Sequence, residues 1–347
     1  MFNKLLGRFS HDIGIDLGTT NTLVYVKDKG IVISEPSVVA INTRTDQVIS
    51  IGEDAKRMVG KTPDHIRIIK PLVGGVISDF EATEKMIKHF INKIHQESFS
   101  FIARPRVVIG IPLNVTEVER KAVEDATKSA GAREVFLIEQ PLAAAIGARI
   151  PIQEPSGFMV VEIGGGTTEI AVISLGGVVT SNSLTVAGNE LDENIIQYAR
   201  ENFNLLLGQK TAEEIKIKIA TVTSDSDKQE ASMRGRDLIT GLPKEVIVSS
   251  LQIKEAIIRS VRQIVEAIRD TLEKTPPELV ADIYEKGLLL SGGGAYLRGL
   301  DKLIAQETRV PVHLVDDPLT AVVRGTGIVL EDLENLKEVL LPSASEE

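Results

Sequence analysis

The stretch that decides the fold is "GIDLGTTNTLVYV", Gly14 to Val26. An apolar run leads to Asp16, the chain breaks at Gly18, and a second apolar run follows Asn21. Two strands joined by a turn over Gly18–Asn21 satisfy that pattern. One glycine, two threonines and an asparagine offer N–H and O–H donors suited to phosphate oxygens. An ordinary polar hairpin turn has the same composition. Asp16 stands where its carboxylate could meet the same anion, which makes electrostatic sense only with a cation between the two.

The pattern recurs in "VVEIGGGTTEIAVI", Val160 to Ile173. Setting Asp16 over Glu162 brings Gly18 onto Gly164 and places small or hydroxyl residues in both turns. This reads as an internal duplication, and two such turns could hold a polyphosphate from both sides. Around the turns the chain alternates strands with helices. "RVVIGIP" is a buried strand. "TEVERKAVEDATKSAG" is a helix with Thr116 as N-cap and Gly131 as its stop. "EVFLIEQP" is a strand whose Pro141 opens the next helix. A long helix runs from about Ser250 to Lys274, and "GLLLSGGGAYLRGLDKLIAQE" is a strand, a glycine turn and a helix. A glycine turn at that place lets a nucleotide approach the backbone closely.

With 347 residues the chain is long enough for two or more domains. Its 43% hydrophobic and 25% charged residues mark it as globular rather than disordered. A net charge of −10 without a basic block argues against nucleic acid as a partner. The absence of cysteine removes disulfides, thiolate zinc sites and thiol catalysis together, and the five histidines form no paired metal motif. No run is long and apolar enough to span a bilayer, and the expected location is cytoplasmic. The first residues, "MFNKLLGRF", place Phe2, Leu5, Leu6 and Phe9 on one helical face. Such a segment either lies in a membrane interface or docks or frays at its own domain. The stretch "TSDSDKQEASMRGRD", 223–237, reads as mobile and charged, and the tail "LPSASEE" as disordered.

Four stretches in order resemble the actin-like ATPase superfamily, and within it the bacterial actins of the MreB family. They are "IDLGTTNTLVYVKDKGIVISEPSVVAI", "GAREVFLIEQPLAAAIGA", "IGGGTTEIAVISLGGVV" and "LLLSGGGAYLRGLDKLI". The resemblance implies an α/β actin-like ATPase fold, with two ribonuclease-H-like domains and two small subdomains around a nucleotide cleft. The implied division is 1–31, 74–145 and 320–347 for the first large domain and 32–73 for its small subdomain. The second large domain is 146–181 with 250–319, and its small subdomain is 182–249. The implied cofactors are ATP and Mg²⁺. Gly18, Thr19, Thr20 and Asn21 resemble the first phosphate loop, and Gly164, Gly165, Gly166 and Thr167 the second. Gly292, Gly293, Gly294 and Ala295 resemble the adenosine motif. Glu213 and Lys216 resemble the pair beside base and ribose, although their spacing also suits a solvated ion pair on a helix face. Asp16 is the expected Mg²⁺ residue, in part through water, with Thr167 and Gln140 positioning the attacking water.

Two residues depart from the family pattern. Glu139-Gln140-Pro141 stands where MreB proteins usually have Glu-Glu-Pro, and Glu162 where they usually have Asp. A glutamine orients water without accepting its proton. The extra methylene of Glu162, a third expected catalytic residue, shifts its carboxylate by about 1.5 Å, enough to change which Mg²⁺-bound water it reaches. Slow ATP hydrolysis coupled to filament turnover is the expectation. Phe99, Phe101 and Ile102 in "HQESFSFIARPR" resemble a membrane-insertion loop of the family, although side chains of this kind also suit a cap on the domain core. The resemblance thus implies a double-protofilament homopolymer, peripheral on the inner face of the cell membrane. There it would work with membrane proteins of cell-wall elongation to set rod shape; the helix near Val118 is one candidate contact between copies and equally suits a plain surface helix. A non-filamentous ATPase or a small-molecule kinase of the same superfamily is the alternative, though no second motif for an acceptor is evident.

Overall fold

The computed structural model describes residues 11–95, 104–223 and 229–342. Phe2, Leu5, Leu6, Phe9, Phe99, Phe101 and Ile102 therefore lie outside the described residues. The chain forms two units, one within 1–155, 173–178 and 319–347, the other within 156–172 and 179–318. Residues 146–155, beyond the boundary expected at 145, cluster with the first unit.

In the first unit, β1 (Ile13–Leu17), β2 (Asn21–Val26) and β3 (Gly30–Pro36) are followed by β4 (Val39–Asn42), β5 (Gln47–Ile51) and β6 (Ile66–Ile69). A short hairpin, β7 (Leu72–Val73) and β8 (Val76–Ile77), precedes β9 (Arg106–Ile111) and β10 (Glu134–Glu139). The main sheet has the order β10-β9-β1-β2-β3. β1 pairs antiparallel with β2 and parallel with β9, which pairs parallel with β10. Ile13, Ile15 and Leu17, alternate residues on one face of β1, are all buried in the core of this unit. β5-β4-β6 form a separate sheet with a small core of Val38, Ala40 and Ala55, the last on helix α1 (Glu53–Met58).

Helix α2 (Phe80–His95) buries Met86, Ile87 and Phe90 in the core of the main sheet. Helix α3 (Glu117–Ser129) starts as its sequence predicts. The Glu119 N–H donates to Thr116 Oγ1 at 3.2 Å, and the Thr116 N–H donates to Glu119 Oε2 at 2.8 Å. This capping box satisfies two of the donors that a helix start leaves open. Helix α4 (Gln140–Gly147) carries Pro141 in its first turn and is buried along its whole length. Its partner is the helix Ala321–Glu331, and the two backbones touch through glycines. A Cβ on Gly147 would lie 2.0 Å from the Ala321 carbonyl oxygen, and one on Gly325 would lie 1.8 Å from that of Ala143.

The second unit repeats the strand order. Its sheet is β13 (Gly177–Leu184), β12 (Thr168–Ser174), β11 (Phe158–Ile163), then β17 (Leu288–Ser291) and β18 (Val312–Leu314). The pairs β11–β17 and β17–β18 are parallel, like β1–β9 and β9–β10. The duplication read from the two turns is therefore a duplication of sheet topology. Helices α5 (Gly188–Phe203), α6 (Gln209–Ile219), α7 (Ser250–Lys274), α8 (Pro277–Lys286) and α9 (Leu300–Thr308) complete the unit. The long α7 has the predicted bounds, with Ser249 and Gln252 forming its capping box.

One expectation is corrected here. The stretch 223–237 is not mobile throughout, because Glu230–Asp237 is a strand, β15, between β14 (Leu205–Leu206) and β16 (Pro243–Ser249). Ala231 and Met233 are buried while Glu230 and Arg234 are exposed. That is the period-two alternation of a half-buried strand, hidden behind a charged composition. Residues 224–228 are outside the described set.

The glycine contact between helices yields a direct test. Gly325→Ala should destabilise the protein by about 3 kcal/mol, the upper end for an overpacked core. Gly177→Ala, where a Cβ meets nothing within 4 Å, should change stability by less than about 0.5 kcal/mol. Urea denaturation of both variants checks the contrast.

Candidate functional site

In the first unit the turn Gly18–Asn21 is held from one side by a single serine. Ser37 Oγ donates to the Gly18 carbonyl at 2.5 Å, and the Ser37 N–H donates to the Thr20 carbonyl at 2.9 Å. A trans peptide points its carbonyl and its following N–H in opposite directions. With Gly18 and Thr20 carbonyls turned to Ser37, the N–H groups of Thr19 and Asn21 are turned the other way. Thr19 Oγ1 accepts the Gly75 N–H at 2.8 Å, which leaves its hydroxyl hydrogen to donate elsewhere. Gly18 is required sterically, because a Cβ there would lie 2.5 Å from the Asn21 carbonyl oxygen.

Asp16 precedes this turn on β1. Its Oδ1 accepts a hydrogen bond from Gln140 Nε2 at 3.3 Å, so the first turn of α4 and the end of β1 meet at these two side chains. Desolvation pushes the Asp16 carboxyl up to about 7, against the lowering effect of the Gln140 bond. Among the described residues no cationic side chain forms a salt bridge with it. A desolvated carboxylate whose described partner is a neutral amide suits a hard cation with oxygen ligands, and Mg²⁺ fits that chemistry. Burial also pushes the neighbouring Glu139 carboxyl up, with Arg120 pulling it down.

The second unit builds the same device from other parts. The Gly164 N–H donates to the Thr167 carbonyl at 2.9 Å, closing the hairpin turn between β11 and β12. The Gly164 carbonyl accepts the Gly188 N–H at 3.1 Å, and the Gly165 carbonyl accepts the Asn189 N–H at 2.8 Å. These two donors open α5, which has no side-chain cap, so the turn's carbonyls fill the role of the cap. By the same planarity the N–H groups of Gly165 and Gly166 face away from α5.

Glu162 is buried and wedged beneath both glycine motifs of this unit. A Cβ on Gly292 would sit 2.4 Å from Glu162 Oε1, and one on Gly164 would sit 3.5 Å from Oε2. Gly292 also has φ +80, and a Cβ on Gly294 would lie 2.2 Å from Ile163 Cγ2. Two glycines of the late motif are thus needed to pack on β11, a role distinct from ligand access. Gly293 is exposed, and the Ala295 N–H closes the tight turn on the Gly292 carbonyl at 3.1 Å. Arg298 ties this turn to the end of α6, donating to the carbonyls of Ile219 at 2.6 Å and Ala220 at 3.1 Å. Glu213 and Lys216 lie on α6, and the Lys216 ammonium is held inside the unit by Asp192 at 2.9 Å and the Gly188 carbonyl at 2.7 Å.

The structure thus joins Asp16, Gln140 and the Gly18–Asn21 turn in one unit. In the other it joins Glu162, the Gly164–Thr167 turn, the Gly292–Ala295 turn and the helix of Glu213 and Lys216. The sequence reading did not find Ser37, Gly75, Gly188, Asn189, Asp192 or Arg298. They act through hydrogen bonds or, for Asp192, an ion pair to partners far along the chain. Ser37 and Arg298 lie within stretches that carry the resemblance, but no local signal gives them a role.

A family model described as "MreB/Mbl protein" matches residues 10–338. The cell shape-determining protein Mbl of Bacillus subtilis is 50% identical over 328 residues, covering 94% of this chain and 98% of the relative. The cell shape-determining protein MreB of Escherichia coli is 50% identical over 340 residues, covering 96% and 97%. Among solved structures, MreB5 of Spiroplasma citri bound to AMPPNP superposes with a TM-score of 0.89 at 39% identity, covering 95% of this chain and 98% of that one. A MamK double helical filament shares the fold at a TM-score of 0.79 and 23% identity.

The environment of Asp16 sets a pH dependence. Its carboxyl titrates near 3.8 when unfolded and about 7 when folded. Between those values the folded chain keeps a proton that the unfolded chain has released, so stability falls as pH rises through the window and levels off above it. Asp16→Asn lacks this slope. In chelator-treated protein, urea denaturation should show the variant's advantage over wild type widening up to about pH 7 and then remaining constant.

Proposed function

Because the chain belongs to the MreB/Mbl family, we propose that it is an ATP-binding bacterial actin whose filaments organise cell-wall elongation and cell shape. The observation that carries the nucleotide reading is the pair of turns whose carbonyls are pinned and whose amides face away from the pins. Such rows of N–H donors suit phosphate oxygens. The AMPPNP and ADP complexes of the Spiroplasma citri relative support a nucleoside triphosphate and its diphosphate product as ligands.

In this reading the N–H groups of Thr19, Asn21, Gly165 and Gly166 take the phosphates, and the Gly292–Ala295 turn takes the adenosine. Asp16 would hold Mg²⁺, in part through water, and the bound ion would neutralise charge on the β- and γ-phosphates. Gln140 and Thr167 orient the attacking water. Gln140 offers its amide for that purpose and cannot take the proton. Phosphoryl transfer depends mainly on positioning and charge stabilisation, so hydrolysis persists and is slow. Glu162 acts beneath the second turn and sets the position of its peptides.

Self-association is supported by the filament-forming relative. Among the described residues no helix is long and apolar enough to cross a membrane. Attachment to the inner membrane surface would use the apolar residues of 1–9 and 99–102, many weak contacts adding up along a polymer. Membrane proteins of the elongation machinery are the partners this reading implies.

Two measurements test it. Purified protein with Mg²⁺-ATP should form filaments lying on anionic liposomes under negative-stain electron microscopy. Folded, nucleotide-bound protein that never assembles would remove the cytoskeletal role. Phosphate release should rise about tenfold or more in Gln140→Glu, which adds a proton acceptor. Equal rates would show that Gln140 does not limit hydrolysis.

A further inference from the structure

We propose that Asp192 and Lys216 form a latch that sets the second phosphate turn from behind, making Asp192 a positioning residue for nucleotide phosphates. This rests on the nucleotide reading above and adds a role that the family resemblance does not give to this pair. The resemblance places Lys216 beside the base and ribose. In the structure its ammonium is directed into the unit, with Nζ 2.9 Å from Asp192 Oδ1 and 2.7 Å from the Gly188 carbonyl oxygen. Asp192 is 3% exposed, so this is a nearly buried ion pair.

Gly188 is the residue on which the latch acts. Its carbonyl is fixed by Lys216, and its own N–H, with that of Asn189, fixes the Gly164 and Gly165 carbonyls. The packing is tight: a Cβ on Gly188 would meet the Gly164 carbonyl oxygen at 3.3 Å, Lys216 Nζ at 3.4 Å and Gly165 Cα at 3.5 Å. A chain of short polar contacts therefore runs from α6 through the start of α5 to the turn. Asp192, one turn into α5, holds Lys216 against that start. Releasing the ammonium frees the first peptide of α5 to rotate. The Gly165 and Gly166 amides then lose their fixed direction, although neither latch residue touches them.

A latch of this kind separates two properties that a plain nucleoside contact would join. If Lys216 served the base and ribose, its loss would weaken adenosine and adenosine phosphates together. As a latch, its loss weakens the phosphates alone.

The test measures binding of adenosine, ADP and AMPPNP to wild type, to Asp192→Asn and to the double variant Asp192→Leu/Lys216→Met by calorimetry with Mg²⁺ present. The double variant removes both charges at once and so leaves neither buried alone. Both variants should bind ADP and AMPPNP about tenfold more weakly and adenosine within about twofold of wild type, the size expected for a lost charge-assisted hydrogen bond. Thermal melts of the ligand-free proteins identify a variant that has simply unfolded, and the double variant then decides. An equal loss for adenosine, or no loss for any ligand, overturns the latch while leaving the nucleotide reading intact. Failure of the wild type to bind any of the three overturns both.

Discussion

A peptide plane cannot turn its carbonyl and its following N–H to the same side, and the candidate site depends on that constraint. Donors for an anion cannot be held in place by grasping the donors themselves. They are held by their carbonyls, from behind. Ser37 does this for the Gly18–Asn21 turn with one hydroxyl and one amide, and the opening of α5 does it for the Gly164–Thr167 turn with two amides. Much of the surrounding architecture serves to bring those pins to the right place. The antiparallel pairing of β2 with β3 sets Asn21 opposite Pro36 and so brings Ser37 to the turn, and α5 begins just past the end of β13.

The two units share a strand order and differ in what surrounds each turn. In the first, the carboxylate beside the turn is Asp16, in register with Gly110 of β9 and bonded to an amide. In the second it is Glu162, in register with Ser291 of β17 and packed against glycine backbone. The second turn also rests on the positive end of a 16-residue helix, which favours a nearby anion electrostatically. One duplicated topology thus carries a desolvated carboxyl beside the turn in one copy and a helix N-terminus behind the turn in the other.

The hairpins, the long α7 and the capped α3 were legible in the sequence because their signals are local. A glycine between apolar runs, a Thr or Ser three residues before Glu or Gln, and a sustained helical period are all written within one segment. The repeated turn was legible for the same reason, and it pointed to the topology repeat. The supports were not legible. Ser37 stands 19 residues from the carbonyl it holds, and Lys216 stands 28 residues from Gly188. Nothing in "EPSVV" or "TAEEIK" records those partners. β15 was missed for another reason: its charged residues occupy the exposed face, so composition masked the alternation of Ala231 and Met233. The late glycine motif was found, but the demand of β11 packing on Gly292 and Gly294 appears only when Ile163 and Glu162 are placed beside them.

The glycine contact between α4 and the helix Ala321–Glu331 bears on the order in which the protein is made. Gly14 of β1 and Gly110 of β9 also face this helix, with a Cβ on Gly14 meeting Thr326 Oγ1 at 2.5 Å and one on Gly110 meeting Val322 Cγ1 at 2.9 Å. One face of the first sheet is therefore finished by residues near the end of the chain, while nearly all of the second unit is encoded in between. At bacterial synthesis rates the stretch from Gly147 to Gly325 takes roughly 10–35 s to emerge. For that interval the nascent first unit carries an uncovered apolar face while the second unit is still being synthesised. A chaperone that shields sheet surface during translation has its longest task at the beginning of this chain, and truncation before Ala321 leaves that task without an end.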